Sequence, residues 1–240
     1  EPITFAGIQS IRNRADEIGH VDLIIVDECH LISHKEEGGY RDLIKQLFEI
    51  NPHLRVIGLT ATPFRLGHGY IDEEGALFDD RIEPVTIEEL IYKGHLCTLR
   101  SKKTVAKLSV EGVHKRGGEY IESELQAAVD NEDINGQVVD EVISRGQNNK
   151  HWLFFCTGVA HAEHIAEDLN DMGVNAACVT GKTPAAERAD IIKRFKAGEI
   201  RALTNANVLT TGFDFPNIDL IVMLRPTMSP SLYMQMAGRG

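Results

Sequence analysis

The sequence predicts an α/β protein made of two parallel-sheet domains joined by a connector. Two observations predict this fold class: short apolar strands alternate with amphipathic helices in both halves, and the carboxyl half repeats the strand–helix cycle with short turns. A helix between successive strands makes those strands parallel. We predict a first domain over residues 1–80, a connector with added elements over 81–135, and a second domain over 136–240.

The amino half shows this pattern in its shortest form. A long apolar run ends on adjacent carboxylates in "VDLIIVDE", and a later run ends on a proline in "LRVIGLTATP". The periodicity between them, in "YRDLIKQLFEI", is helical. The predicted strands are residues 3–11, 21–28 and 54–63, and the predicted helix is 40–50.

The connector is less regular. Residues 86–96 and 121–133 have helical periodicity, whereas "TVAKLSVEGV" (104–113) alternates like an edge strand and "HKRGGEY" (114–120) is typical of a turn. Several lysines and arginines give the connector a basic bias in an acidic chain. They indicate either a solvated hairpin or contact with DNA phosphates. These residues are Lys102, Lys103, Lys107, Lys115 and Arg116.

The carboxyl half alternates most clearly. Gly173 and Gly198 end two helical segments, since a left-handed residue commonly ends a helix. A third helical segment begins at Ser229. The predicted strands are 151–156, 175–181, 200–206 and 218–226, and the predicted helices are 159–173, 184–198 and a segment that begins at Ser229.

Composition excludes several functional classes. The formal net charge of −11 argues against a protein that grips nucleic acid by bulk attraction, although contact through a few amides and hydroxyls stays compatible with it. The longest apolar runs are four or five residues, too short to span a membrane. The four cysteines are scattered singly, which indicates free thiols in a reducing cytoplasm and not a zinc site.

Carboxylates and hydroxyls follow the ends of several predicted strands, where open parallel sheets bind ligands. Asp27 and Glu28 are suited to hold Mg²⁺ through water and to orient an attacking water; a solvated strand end is the alternative. Other strand or helix ends carry small hydroxyls, a glycine, and single amide or charged side chains. These residues are Thr60, Thr62, Thr210, Thr211, Gly212, Asp214, Gln235 and Arg239. We expect Gln235 and Arg239 about one turn apart on a helix face.

Four segments in this order resemble motifs II, III, V and VI of the superfamily-two helicases: "VDECH", "TATP", "TTGFD" and "QMAGRG". "FAGIQSI" resembles the nucleic-acid-contacting segment before motif II, and "LFFC" resembles motif IV. Within the superfamily the chain is most similar to the RadD-type (YejH) bacterial DNA-repair helicases, with restriction motors and phage helicases as near relatives. The resemblance implies two RecA-like domains of a P-loop NTPase helicase core, the first truncated at its amino end.

The resemblance also implies residue roles. Asp27 and Glu28 would be the Mg²⁺ and water-activating pair, and His30, Thr60 and Thr62 would couple nucleotide state to domain closure. Gly212, Asp214, Gln235 and Arg239 would face ATP from the second domain, with Arg239 on the γ-phosphate. The implied nucleic-acid contacts are Gln9, Ser10, Thr157, Thr180, Gly181, Thr210 and Thr211. The implied cofactors are ATP and Mg²⁺. The implied partners are DNA (a single strand or junction, with RNA as an alternative) and other DNA-repair proteins. The implied location is the cytoplasm, without a membrane.

The phosphate-binding loop that such a site needs is not found in the sequence. The single GKT, at residues 181–183, lacks the glycine that GxxxxGK[ST] requires five positions earlier, where Ala176 stands. The resemblance places the loop upstream, so we expect a fragment of a longer enzyme that by itself binds ATP weakly or not at all. The alternatives are a non-catalytic nucleic-acid-binding or protein-docking module, or the motor of a restriction enzyme or phage helicase. A metal site at His161 and His164 is also considered, although an exposed helix is the favoured interpretation.

Overall fold

The computed structural model describes residues 3–32, 38–65, 69–73, 77–83, 85–210 and 212–240. The chain forms two compact units, which we call the amino unit (residues 1–85) and the carboxyl unit (residues 86–240). Residues 86–135 therefore group with the carboxyl unit. The predicted boundaries at residues 80 and 135 stay predictions. None of the helices in the described ranges has both the length and the apolar character needed to cross a bilayer.

The amino unit contains a two-stranded parallel sheet. Strands β1 (Leu23–Asp27) and β2 (Arg55–Leu59) pair so that Asp27 lies opposite Leu59, and both strands end at the same edge. One face of the sheet packs on helices, among them α3, whose apolar stripe is buried. The helices are α1 (Ile8–Ile11), α2 (Ala15–Ile18) and α3 (Gly39–Ile50), and a short hairpin is formed by β3 (Phe64–Arg65) and β4 (Gly69–Tyr70).

The carboxyl unit is a three-layer α/β/α structure. Its parallel sheet has the order β10-β7-β9-β8. Alternate residues of β7 point to opposite faces: Trp152 and Phe154 enter one apolar core, and Leu153 and Phe155 enter the other. The strands are β7 (Trp152–Phe155), β8 (Ala176–Val179), β9 (Ala202–Asn205) and β10 (Leu220–Met223), and the surrounding helices are α6 (Glu132–Arg145), α7 (Val159–Asp171), α8 (Ala185–Lys196) and α9 (Pro230–Ala237).

The segment before this sheet adds two helices and a hairpin. Helix α4 (Ile87–Tyr92) begins with a cap, in which the Thr86 side chain accepts from the Glu89 amide. Strands β5 (Lys115–Arg116) and β6 (Glu119–Tyr120) form an antiparallel hairpin that turns through two glycines with positive φ, Gly117 and Gly118. Helix α5 (Glu122–Val129) follows the hairpin.

Several predicted elements differ in the structure. Residues 3–11 do not form a strand, because residues 3–7 are irregular and Ile8–Ile11 is helical. Residues 104–113 alternate like a strand but form none, since no neighbouring strand pairs with them; their amides at Val105 and Ala106 donate to the Glu141 carboxylate instead. The turn predicted at 114–120 is confirmed, and it joins the two strands of the β5–β6 hairpin.

Candidate functional site

The carboxyl edge of the amino unit's sheet brings together the residues predicted from motifs II and III. Asp27 is the last residue of β1, and Thr60 directly follows β2, so parallel pairing places both at one edge. His30 Nδ1 lies 2.8 Å from Thr60 Oγ1 and 3.4 Å from Thr62 Oγ1. His30 and Thr62 are buried. Residues about 30 positions apart thus form one hydrogen-bonded group.

Glu28 approaches the same nitrogen of His30. Its Oε2 lies 3.3 Å from His30 Nδ1, and its amide donates to Asp27 Oδ1 at 3.0 Å. The Glu28 backbone is left-handed, with a φ of 51°, a conformation that L-residues rarely adopt outside constrained sites. The turn directs the two adjacent carboxylates differently: that of Asp27 is exposed at the strand end, and that of Glu28 reaches back toward the buried histidine.

Packing beneath this edge depends on Gly58 of β2. A Cβ at this position would lie 2.4 Å from Phe78 Cζ and 2.6 Å from Cys29 Sγ. Burial raises the pKa of the Cys29 thiol to about 11, so the thiol is neutral at physiological pH and acts as a small apolar group. The residue after Glu28 therefore anchors the turn in the core.

The predicted ATP-facing residues of the carboxyl unit lie in two segments that are joined by Arg239. Its Nε donates to the Thr210 carbonyl at 3.0 Å and its Nη1 to the Phe213 carbonyl at 2.6 Å. Gly212, which lies between Thr210 and Phe213 in the sequence, has a φ of 69°. Motifs V and VI are therefore in direct contact within this unit.

The expected placement of Gln235 and Arg239 on one helix face is wrong. Helix α9 ends at Ala237, and Arg239 lies beyond the capping residue Gly238. The Arg239 side chain turns back onto the motif V loop instead of continuing the helix face that carries Gln235. The helix ends here because two glycines flank Arg239 and weaken helical propagation.

The predicted nucleic-acid contacts differ in their exposure. Gln9, Ser10 and Gly181 are exposed, whereas the side chains of Thr157, Thr180 and Thr210 are buried. Thr157 Oγ1 lies 2.8 Å from His161 Nδ1, so contact between this hydroxyl and a nucleic acid requires a different conformation. Thr211 lies outside the described residues. These contacts stay predictions.

The GKT segment forms a closed turn on the carboxyl unit. Thr180 Oγ1 accepts from the Lys182 amide, and Thr183 Oγ1 accepts from the Thr180 amide. Arg188 Nη2 donates to the carbonyls of Thr180 and Thr183, and the Phe195 side chain is fully buried against the sheet. Because the amides of Thr180 and Lys182 already donate to hydroxyls within the turn, they are not available to cradle a phosphate.

The two histidines on α7 have different surroundings and different hydrogen-bond partners. His161 is buried, which corrects the expected exposed helix, and burial lowers the pKa of its imidazole. His164 Nδ1 lies 2.9 Å from Asp130 Oδ1, and this hydrogen bond raises the pKa of His164. Within the described ranges no group of three or more histidine, cysteine or carboxylate side chains is placed to hold a metal ion.

Two family models match the chain over separate regions. Residues 1–65 match "Type III restriction enzyme, res subunit", and residues 135–240 match "Helicase conserved C-terminal domain". The second match covers the carboxyl unit's sheet together with the segments that resemble motifs IV, V and VI.

Individual relatives extend over nearly the whole chain. The "Putative ATP-dependent helicase IRC3" of Saccharomyces cerevisiae is 29% identical over 99% of this chain and 34% of its own length. A "51.5 kDa protein" of a Lactococcus phage is 28% identical over 95% of this chain and 48% of its own length. The chain thus spans between a third and a half of these relatives.

A solved structure shows the same fold. The fragment structure of a "putative HsdR subunit of a type I restriction enzyme" from Vibrio vulnificus matches with a TM-score of 0.64 and 24% identity, over 97% of this chain and 43% of that one. The fold is that of the RecA-like helicase domains, which confirms the predicted fold class. The family models and the helicase relatives together support the assignment to the superfamily-two helicases.

Proposed function

We propose that this chain is the part of an ATP-dependent DNA helicase or translocase that carries motifs II to VI. The observation that carries this proposal is the group at the carboxyl edge of β1 and β2, in which Glu28 and Thr60 both approach His30. Because the carboxylate and both hydroxyls approach the same nitrogen, His30 Nδ1 can change partners when the carboxylate engages a nucleotide. Such an exchange would link the nucleotide to the motif III segment.

The carboxylates at this edge suit Mg²⁺ that arrives with ATP. Magnesium ions in nucleotide sites are held by one or two carboxylates together with phosphate oxygens and waters, so a cluster of three protein ligands is not required. Asp27, which is exposed at the strand end, would hold the ion through water. The ion would neutralise charge on the phosphates, and Glu28 would orient the water that attacks.

We assign the motif V and VI residues to the nucleotide from the second domain. Gly212, Asp214 and Gln235 would face the phosphates or ribose, and Arg239 would stabilise charge on the γ-phosphate. Since the Arg239 guanidinium has five N–H donors and its bonds to the motif V carbonyls use Nε and Nη1, it can hold these carbonyls while Nη2 approaches a phosphate.

We propose that the nucleic acid is DNA and that the parent protein is a RadD-type repair helicase. Exposed Gln9, Ser10 and Gly181 would contact the phosphate backbone, which positions a strand without reading its sequence. The connector lysines Lys102 and Lys103 are also exposed and would add favourable charge. The proposed setting is the bacterial cytoplasm, together with other DNA-repair proteins.

The decisive test is nucleic-acid-stimulated ATP hydrolysis by the intact protein, wild type against Glu28→Gln. We expect the variant to lose about 10²- to 10⁴-fold in kcat, because the amide can neither orient nor deprotonate water as the carboxylate does. Glu49→Gln, an exposed residue on α3, is the matched control and should keep the wild-type rate. Equal rates for the wild type and Glu28→Gln would remove Glu28 from the mechanism.

A second candidate is a non-catalytic nucleic-acid-binding module, favoured by the absence of GxxxxGK[ST] from these 240 residues. The two candidates differ in nucleotide binding by the intact protein and not by this chain alone. Both predict weak or no binding by the chain alone, because the missing amide cradle and lysine supply most of the phosphate affinity. Only the motor predicts that the intact protein binds ATP and hydrolyses it.

A further inference from the structure

The Glu119 carboxylate, on the β5–β6 hairpin, accepts hydrogen bonds from a segment more than 100 residues later. Thr227 Oγ1 donates to it at 2.5 Å, the Met228 amide at 3.0 and 3.1 Å, and the Ser229 amide at 3.1 Å. Its own strand adds a bond from the Tyr120 amide at 2.9 Å. One carboxylate thus collects four donors.

These donors lie immediately before helix α9. Ser229 is the N-cap of α9, and its Oγ accepts from the Leu232 amide at 3.2 Å. Thr227 Oγ1 also accepts from the Ser229 amide at 3.0 Å. Glu119 therefore holds the residues that cap α9. Because the helix starts at these residues, their position determines the direction in which α9 runs.

The opposite end of α9 is held by the motif V loop. Arg239, two residues past the last helical residue, donates to the carbonyls of Thr210 and Phe213. Helix α9 carries Gln235 and spans only eight residues, so displacement of its amino end would move the contact at its carboxyl end. The chain of contacts runs from Glu119 through the cap and α9 to Arg239 and the Gly212 loop.

We propose that Glu119 is a positioning residue for the motif V and motif VI segments, a role that rests on the proposed ATPase function. It touches neither nucleotide nor nucleic acid in this proposal. It sets where Gln235 and Arg239 stand, and through Arg239 the position of the loop that contains Gly212 and Asp214. It also links these segments to the β5–β6 hairpin.

The electrostatics of the contact agree with this role. Burial alone would raise the pKa of the Glu119 carboxyl, but the hydrogen bonds from Thr227, Met228, Tyr120 and Ser229 outweigh it and hold the pKa below its usual value. The carboxylate is therefore ionised at neutral pH. Hydrogen bonds to an ionised acceptor are the stronger kind, and an amide in its place would turn a donor toward two backbone N–H groups.

The first test is amide hydrogen exchange on the full chain, wild type against Glu119→Gln. We expect exchange at least about tenfold faster for the amides of residues 228–240 and of the 209–216 loop, because the charge-assisted bonds at the cap are lost. The amides of β7 and β9 should keep their protection, which shows that the variant is folded. Glu111→Gln, an exposed glutamate earlier in the same unit, should exchange like the wild type.

The residues at which amide exchange becomes faster decide whether Glu119 has the positioning role. Faster exchange confined to residues 228–230, with the 209–216 loop unchanged, would show that Glu119 only caps the helix and would overturn the positioning role. Unchanged exchange at all sites would overturn it as well. Neither result depends on whether the protein hydrolyses ATP.

The second test is steady-state ATP hydrolysis by the intact protein with saturating nucleic acid. We expect Glu119→Gln to lower kcat about tenfold with a much smaller change in KM for ATP, since displaced groups act mainly in the transition state. If part of the variant were unfolded, the apparent kcat would fall in proportion to the fraction of active enzyme. Active-site titration measures this fraction, so that kcat can be corrected for it. Unchanged kcat in an active wild type would overturn the positioning role. An inactive wild type with the expected exchange pattern would instead overturn the proposed function and keep the structural coupling.

Discussion

The two units contain similar apolar strands but bury them differently. All four residues of β7 are buried in the carboxyl unit, with Trp152 and Leu153 fully inaccessible. In the amino unit, by contrast, alternate residues of β1 and β2 are about half exposed on one face. These are Leu23 (47%), Ile25 (59%), Ile57 (47%) and Leu59 (51%).

This difference reflects how many layers cover each sheet. Parallel sheets are normally covered on both faces. The carboxyl unit has an apolar core on each face of its sheet, whereas the described residues of the amino unit cover only the face that contains Ile24, Val26 and Val56. An apolar sheet face of this kind supports the proposal that further chain of a longer protein packs on it.

Matched leucine truncations should give the largest contrast. Leu153→Ala removes a fully buried side chain from β7, and we expect it to lower the free energy of unfolding by about 2–5 kcal/mol. Leu23→Ala removes a half-exposed side chain from β1, and we expect less than about 1 kcal/mol. Urea unfolding followed by the fluorescence of Trp152, the single tryptophan, reports on the carboxyl unit, and circular dichroism reports on both units.

The same pair sharpens the comparison in the intact protein. If further chain covers the open face of β1 and β2, Leu23→Ala should cost about as much there as Leu153→Ala, because both side chains would then leave a cavity. A cost below about 1 kcal/mol in both the isolated chain and the intact protein would contradict the proposal that this face is covered.

A smaller decrease in the free energy of unfolding is expected for Gly58→Ala in the amino unit. Its new methyl group in Gly58→Ala would overlap Phe78 and Cys29, and overpacking of this kind costs about 1–3 kcal/mol. Gly7→Ala is the control, since a Cβ there meets no heavy atom within 4 Å. Circular dichroism during urea unfolding measures both variants. A Gly58→Ala protein as stable as the control would show that the core beneath the Asp27–Glu28 turn repacks freely.

The smallest expected effect is an increase in the free energy of unfolding, and it concerns the carboxyl unit. Gly136 is inside α6, and a Cβ there meets no heavy atom within 4 Å. Gly136→Ala should therefore raise the free energy of unfolding by about 0.5–1 kcal/mol through helix propensity alone. Trp152 fluorescence during urea unfolding checks it. A destabilised Gly136→Ala protein would mean that α6 packs more tightly than the structure shows.

Local sequence patterns predict much of the candidate site. Asp27 and Glu28 were expected at a strand end, and the structure places them there beside Thr60. The buried state of Thr157 was not predictable, because it depends on His161 one helical turn later and on the α5 side chain of Gln126, which lies against Gly158. Glu119 was missed entirely, since a single glutamate in a connector carries no local signal.

The sequence by itself determined the elements whose signals are local. Periodicity, apolar runs, and the glycines with positive φ at Gly173 and Gly198 define α7, α8 and the strands around them, because helical hydrogen bonds and side-chain alternation involve near neighbours. Only the tertiary structure decided the rest. A strand needs a partner, so residues 104–113 remained irregular despite their alternation, and Arg239 took its partners from a loop 26–29 residues away. Contacts across such separations depend on how the layers pack, which no local pattern contains.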